Sequence, residues 1–302
     1  MRRFLTHTAL FLLPVVIVLA LAEAYMRHLP NAYRYKAEWM NVNAERVSVL
    51  ILGNSHGFFD LRPSVMGDSV FNLCNVSQRA EQDYCLLMRY ADECKHLRTV
   101  FLVADNSNLF DVPLEEEEPY RATYYQLYMD IGSHSCLSRY GFELSHISAC
   151  REKVLSVWRR DSYTAGCDSL GWGTDYRLSD REPDVMSPKR VKMHQCKDWT
   201  EAQRNAGYVK QIACWCRENG VQLVLLQTPV VPAYSKRVPQ DQLSFVSRLH
   251  ENCRHDYGVL LADFSNDDRF VDIDFFDSDH LSDVGADKFS ALLVEWYRNQ
   301  MK

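Results

Sequence analysis

This sequence of 302 residues has no stretch rich in linker-forming residues and no excess of positive charge. It has only 12 glycines and 10 prolines, and no Pro/Gly/Ser-rich stretch or internal repeat divides it, so we expect one domain with an insertion. The net charge of -6 leaves no basic surface of the kind that follows phosphate backbones, so nucleic acid is not an expected partner. The 47% hydrophobic content excludes a disordered chain.

Metal-binding patterns are missing as well. Cys214 and Cys216 are separated by a single residue, whereas structural zinc sites usually place about two to four residues between cysteines. The acidic stretch 267–283 lacks the central glycine and the ligand spacing of an EF-hand loop. We therefore expect no metal and no cofactor. The ten cysteines fit an oxidising compartment, either as disulfides or as buried thiols.

An apolar segment stands at the N-terminus. Met1-Arg2-Arg3 precedes an apolar run at 9–22, which is the order of an export signal. A bilayer span needs about 20 residues, and 4–24 supplies them, so residues 1–26 are predicted to be a retained anchor or a cleaved signal. With the arginines on the cytoplasmic side, the rest of the chain is expected to be periplasmic, tethered to the cytoplasmic membrane, or secreted after cleavage.

Short apolar runs alternate with helical patterns over most of the remaining chain. Strands are predicted at 47–52, 70–73, 99–104, 221–227 and 259–263. Helices are predicted at 79–94, 199–218, 240–253 and 282–301. Strands this apolar are typical of a mainly parallel sheet with helices on both faces, so we predict an α/β fold.

Two segments do not follow this alternation. Residues 27–46 have no strong period and are expected to connect the apolar segment to a main domain at 47–302. Residues from about 111 to 198 contain a Tyr-rich stretch and one helical pattern at 147–158. We interpret them as an insertion over the strand ends, where open α/β sheets bind ligands.

Candidate catalytic residues lie near the beginning and the end of the region that contains the predicted strands and helices. Ser55 follows the first predicted strand, between Gly53 and Gly57, where a sharp turn can expose its hydroxyl. Asp277 stands three residues before His280, just ahead of the last predicted helix. A histidine held by a carboxylate can take the proton of a serine hydroxyl, so the three residues are a candidate triad.

In these places the sequence resembles the SGNH (GDSL-type) hydrolases. That family has its nucleophile in a Gly-Asp-Ser turn after the first strand, and Asp-x-x-His before the last helix. Gly53-Asn54-Ser55 and Asp277-Ser278-Asp279-His280 match these motifs. The resemblance implies a flavodoxin-like three-layer α/β/α sandwich and ester chemistry without a metal.

The resemblance also implies an oxyanion hole. In the family its donors are the serine amide, a glycine amide after the second strand and an asparagine after the third. Asn75 lies in the second place, where no glycine is present, and Asn106 lies in the third, with Asn108 as a poorer candidate. We expect the amide of Ser55, Asn75 and Asn106 to bind the oxyanion, and His56 to contact substrate.

The implied function is a serine-dependent O-acyl esterase or acyltransferase acting on a cell-envelope or extracellular polysaccharide. Anchored relatives of this type resemble accessory proteins for polysaccharide O-acylation or D-alanyl transfer, which work beside a membrane-bound O-acyltransferase. The expected partners are therefore an acylated glycan, such an acyltransferase and the lipid bilayer. The alternative is a non-catalytic SGNH-like protein that binds glycan or serves as a scaffold in the envelope.

Overall fold

The computed structural model describes residues 1–131, 141–159, 166–181 and 187–302. Within them a five-stranded sheet has the order β2-β1-β3-β4-β5, and every neighbouring pair is parallel. The strands are β1 (Val49–Leu52), β2 (Val70–Asn72), β3 (Thr99–Val103), β4 (Gln222–Gln227) and β5 (Leu260–Asp263). The predicted α/β class and parallel sheet are confirmed.

Helices precede, connect and follow the strands. They are α1 (Arg2–His28), α2 (Ala32–Asn43), α3 (Ser55–Asp60), α4 (Pro63–Met66), α5 (Ala80–Tyr90), α6 (Leu114–Glu117), α7 (Pro119–Met129), α8 (Ile147–Arg159), α9 (Ser187–Met193), α10 (Trp199–Glu218), α11 (Pro232–Ser235), α12 (Gln240–Tyr257) and α13 (Asp283–Gln300). The long helices between and after the strands lie where the apolar periodicity predicts them.

Alternate residues of the strands belong to two separate apolar clusters. Leu50 and Leu52 of β1 pack in one cluster with residues of α5, α10 and α12, while Ile51 packs in the other with residues of α3 and α13. Successive side chains of a strand point to opposite faces, so both faces of β1 are buried. This burial explains why the strands are continuous apolar runs.

Residues 32–43 form a helix, where the sequence suggested an aperiodic connector. Asn31 caps α2 by accepting a hydrogen bond from the amide of Arg34 at 2.9 Å. Tyr33, Ala37 and Met40 recur at helical spacing and are all buried in the main core. The polar residues between them concealed this stripe, which joins α2 to the domain.

The predicted insertion contains α6 to α9, and its expected helix at 147–158 is present as α8. Parts of the insertion, at 132–140, 160–165 and 182–186, lie outside the described residues. The nine cysteines of the described ranges are free thiols, and six of them are buried. Cys136 lies outside those ranges.

The apolar N-terminal segment forms the single helix α1 of 27 residues. Its apolar window has a mean hydropathy of 2.4 and is not buried in the protein. By length and composition α1 can cross a membrane, although a signal sequence passes the same test. The predicted apolar N-terminal helix is confirmed.

Candidate active site

The turn after β1 places Ser55 at the first position of α3. Gly53 has a φ of 134°, which residues with a side chain rarely adopt. A Cβ at this position would also lie 2.7 Å from Cβ of Val103. The amide of Gly53 donates to the buried carboxylate of Asp83 at 2.8 Å. Asn54 caps α3 through its side chain. Ser55 is left partly exposed in an otherwise buried turn.

Gly57 serves a different purpose from Gly53. Its backbone is helical, and a Cβ at this position would lie 2.5 Å from Sγ of Cys74, just after β2. Asn72 donates to the Gly57 carbonyl at 2.7 Å. The missing side chain therefore lets α3 lie directly against the end of β2, which brings the segment containing Asn75 close to the turn that contains Ser55.

The loop before α13 presents the other two candidate residues. Its ends are joined by an antiparallel bridge between Phe275 and Leu281, and the amide of Leu281 donates to Asp60 in α3 at 2.9 Å. Asp277 also accepts from the backbone amide of His280 at 2.9 Å. The loop is thus fixed to the helix that begins with Ser55.

Ser55, His280 and Asp277 form a continuous hydrogen-bonded chain. Oγ of Ser55 lies 2.8 Å from Nε2 of His280. Nδ1 of His280 lies 3.0 Å and 3.1 Å from the two carboxylate oxygens of Asp277. These distances are within hydrogen-bond range, and the carboxylate selects the tautomer that leaves Nε2 free to accept the serine proton.

Aromatic rings enclose the histidine. Tyr176 from the insertion stacks between Phe59 and Phe276, with centroid distances of 3.8 Å and 4.3 Å. The ring of Tyr176 is nearly perpendicular to the ring of His280, and their centroids are 5.1 Å apart. Only 2% of His280 is exposed, so solvent reaches the chain mainly through Ser55.

A second group of charges lies behind this chain. His56 is 1% exposed, and its Nδ1 lies 2.8 Å from the Thr228 hydroxyl and 3.4 Å from Asp105. Its Nε2 lies 3.5 Å from Asp279, and its ring meets that of His280 edge to face at 4.8 Å. His56 is therefore held inside the site, and substrate contact by it stays a prediction.

The insertion supplies two residues that the sequence pattern did not reveal. Arg190 of α9 donates to Oδ2 of Asp277 at 2.6 Å and lies 3.6 Å from Asp279. His194 accepts from or donates to the Tyr234 hydroxyl at 2.7 Å. No local spacing indicates Arg190, because it meets its carboxylates only through the path of the folded chain.

Burial and charge set the protonation of these groups. Burial by itself would lower the pKa of His56, but Asp105 and Asp279 outweigh it and raise that pKa well above the usual value. Burial likewise opposes ionisation of Asp277, yet His280 and Arg190 hold its pKa below the usual range. The buried cation His56 and the half-buried cation Arg190 thus face three carboxylates whose pKa values are lowered, those of Asp105, Asp277 and Asp279.

The pKa of His194 is shifted in the opposite direction from that of His56. Burial lowers its pKa to about 4, against the attraction of Asp279. At neutral pH His194 is therefore uncharged and adds no positive charge to the group.

The predicted oxyanion residues have different surroundings. Oδ1 of Asn106 accepts from Gln242 at 2.8 Å, while its amide nitrogen has only a long 3.5 Å contact with Tyr234. Its donors are thus largely available. The side chain of Asn108 accepts from the Asp105 amide and donates to the Val103 carbonyl, so both of its polar atoms are already bonded.

The side chain of Asn75 is engaged by a neighbour. Its nitrogen donates to Oε1 of Gln78 at 3.3 Å. Lys36, fully buried in α2, donates to the Cys74 carbonyl, and in a trans peptide the following amide points the opposite way. Lys36 therefore fixes the direction of the Asn75 amide.

Two cavities border the site. One of about 210 Å³ is lined by His56, Asn106 and Tyr234. The other, a groove of about 490 Å³, extends from Phe59 and Asn75 past tyrosines of α7 to Pro30 and Lys153. A larger cleft of about 890 Å³ lies between α10 and α12 and contains none of the site residues.

Three side chains that could bind a metal lie close together here. Ligand atoms of His56, Asp279 and His280 lie within 4.8 Å of one another. Both ring nitrogens of His280 already face Ser55 and Asp277, so this geometry suits proton transfer rather than metal binding.

Searches against known protein families and against curated proteins find no match for this chain.

Proposed function

We propose that this protein is a serine-dependent acyl-transfer enzyme of the SGNH type, with the three-layer α/β/α sandwich of that family. The observation that carries the proposal is the hydrogen-bonded chain of Ser55, His280 and Asp277. The sheet order β2-β1-β3-β4-β5, with an apolar cluster on each face, supports the same conclusion.

The reaction follows from the positions of the protons. Oγ of Ser55 attacks the acyl carbonyl while Nε2 of His280 takes its proton. The ester C–O bond then breaks, and His280 returns the proton to the departing alcohol oxygen. Water or a second hydroxyl attacks the acyl-serine in the same way, which gives hydrolysis or transfer.

The surrounding charges favour this proton uptake. His56 and Arg190 balance two of the three carboxylates of Asp105, Asp277 and Asp279, so one negative charge remains when the triad imidazole is neutral. The imidazolium that forms during attack is attracted by this charge. The backbone amides of Ser55 and Asn75 and the side-chain nitrogen of Asn106 are proposed to bind the oxyanion.

The substrate is proposed to be an O-acyl group on a cell-envelope or extracellular polysaccharide. The groove beside Phe59 and Asn75 is lined by Tyr120 and Tyr124, and aromatic rings suit the faces of sugars. We place the domain outside the cytoplasm, anchored by α1, beside a membrane-bound O-acyltransferase that exchanges acyl groups with it.

A non-catalytic glycan-binding role remains the second candidate. The absent glycine after β2 and the committed side chain of Asn75 favour it, because they remove flexibility and a side-chain donor from the oxyanion region.

Turnover separates the two candidates. Full-length protein in detergent is assayed with p-nitrophenyl acetate, with and without oligosaccharide acceptors, and acylated acceptor is measured by mass spectrometry. We expect release of p-nitrophenol that Ser55→Ala abolishes, whereas Ser64→Ala, at an exposed position of α4, leaves it unchanged. Glycan binding by a folded protein without any Ser55-dependent release would favour the non-catalytic role.

A further inference from the structure

Three large apolar side chains are exposed in one part of the insertion. Phe142, Ile147 and Trp158 are 57%, 79% and 77% exposed. Phe142 precedes the short turn Glu143–Ser145 that leads into α8, and the other two lie near opposite ends of α8. Clustered exposed side chains of this size mark a surface that contacts another apolar phase.

This segment is tied to the end of the apolar run of α1. The buried carboxylate of Glu23 accepts hydrogen bonds from the backbone amides of Glu143 at 3.1 Å and Leu144 at 3.0 Å. The apolar run ends one residue earlier, at Ala22. Phe142 therefore lies next to the level at which α1 stops being apolar.

Further contacts hold the rest of the segment at the same level. Arg27 donates to the Gly141 carbonyl at 3.1 Å, and Lys153 donates to the Met26 carbonyl at 3.0 Å. All these partners in α1 fall between Glu23 and Arg27, a rise of about 6 Å. Residues 141–153 are therefore bound to α1 within a narrow range of positions along its axis.

Helix α8 packs on α1 with one side and leaves the neighbouring stripe open. Cys150, Val154 and Val157 pack against Met26 and Leu29. Residues seven and eleven positions after Ile147 share its face of the helix, which places Trp158 and Val154 on that side. The exposed stripe therefore continues the apolar surface that already contacts α1.

We propose that Phe142, Ile147 and Trp158 enter the surface of the bilayer that α1 crosses. The proposal rests on the proposed anchoring by α1. The occupant of this surface is the boundary between head groups and acyl chains, where aromatic side chains and amphipathic helices are stable. Arg151, exposed on α8, is placed to meet lipid phosphates.

This contact orients the catalytic domain. A domain held by α1 alone could rotate about its tether, whereas a second contact fixes which side faces the membrane. The groove of about 490 Å³ reaches Lys153, whose ammonium group donates to the Met26 carbonyl at 3.0 Å. This end of the groove then opens near the membrane surface, and the groove extends from there to Phe59 and Asn75, so a lipid-linked or membrane-delivered substrate can enter along it.

Depth-dependent quenching of an added tryptophan tests the contact. Full-length Ile147→Trp and Val42→Trp are reconstituted in liposomes with and without lipids brominated near the glycerol end of the acyl chain. Both positions are exposed, and Val42 lies at the end of α2 about 15 Å from its start at Ala32. Because six native tryptophans, Trp158 among them, contribute to both signals, quenching is measured as the increase over the wild type. We expect this increase to be about twofold or more larger for Ile147→Trp than for Val42→Trp.

The outcomes separate the contact from the anchor. Retention in the membrane after alkaline carbonate washing tests the anchor itself. Equal quenching of the two variants in protein retained by the membrane overturns the proposed contact and leaves the anchor and the catalytic proposal intact. Release by the wash overturns the anchor, and with it the contact, without bearing on esterase activity.

Discussion

Replacing Asp83 by asparagine should make the protein less sensitive to alkaline pH. Asp83 is fully buried, and one of its oxygens accepts from Gly53 and Gln78 while the other has no partner among the described residues. Burial raises its pKa from 3.8 to about 7. Asparagine has the same shape as the protonated acid and keeps an oxygen for both donors.

The magnitude follows from proton linkage. Because the folded-state pKa is raised, Asp83 adds stability that is present below its unfolded pKa and is lost as pH rises through about 7. The difference between 3.8 and about 7 corresponds to about 4 kcal/mol of unfolding free energy. Asp83→Asn should therefore equal the wild type near pH 4 and exceed its stability by about 4 kcal/mol near pH 8.

Urea unfolding in detergent, followed by near-UV circular dichroism at several pH values, measures this difference. Asp68→Asn, at an exposed position, is the matched control and should track the wild type at every pH. A difference between Asp83→Asn and the wild type that stays constant from pH 4 to pH 8 would refute the reasoning.

Three further substitutions test other contacts. Arg190→Gln should lower kcat for ester hydrolysis by about 10- to 100-fold with little change in KM, because Asp277 loses the donor that fixes it; unchanged kcat would exclude this positioning role. His56→Phe should lower the urea-unfolding free energy by about 3–5 kcal/mol, since it leaves the buried carboxylate of Asp105 without its cation partner, and a loss below about 1 kcal/mol would contradict this. Gly285→Ala should cost about 3 kcal/mol or prevent folding, as its Cβ would lie 1.9 Å from the Asp274 carbonyl oxygen; wild-type thermal stability would contradict the packing.

Local patterns predicted most of the fold and the parts of the site that lie at strand ends. Each predicted strand overlaps an observed one, with ends displaced by at most two residues, because apolar runs bounded by turns are a local signal. Ser55 and His280 could be located for the same reason, since one follows a strand and the other precedes a capped helix. In a parallel sheet these places meet at one edge.

Residues that act through distant contacts could not be predicted in this way. Arg190 reaches Asp277 across 87 residues of sequence, and Thr228 reaches His56 across 172. Such pairs depend on the path of the insertion and on the packing of β4, neither of which leaves a periodic signal. The helix α2 was missed for a related reason, because its buried stripe is narrow and includes the buried charge of Lys36.

Covalent labelling of the nucleophile tests the central claim most directly. Full-length, folded protein is treated with a fluorophosphonate probe, and the modified peptide is identified by mass spectrometry. The proposed chain of Ser55, His280 and Asp277 predicts labelling at Ser55 that His280→Ala strongly reduces and Ser64→Ala does not affect. Absence of label at Ser55 in folded protein, or labelling that is indifferent to His280, would contradict it.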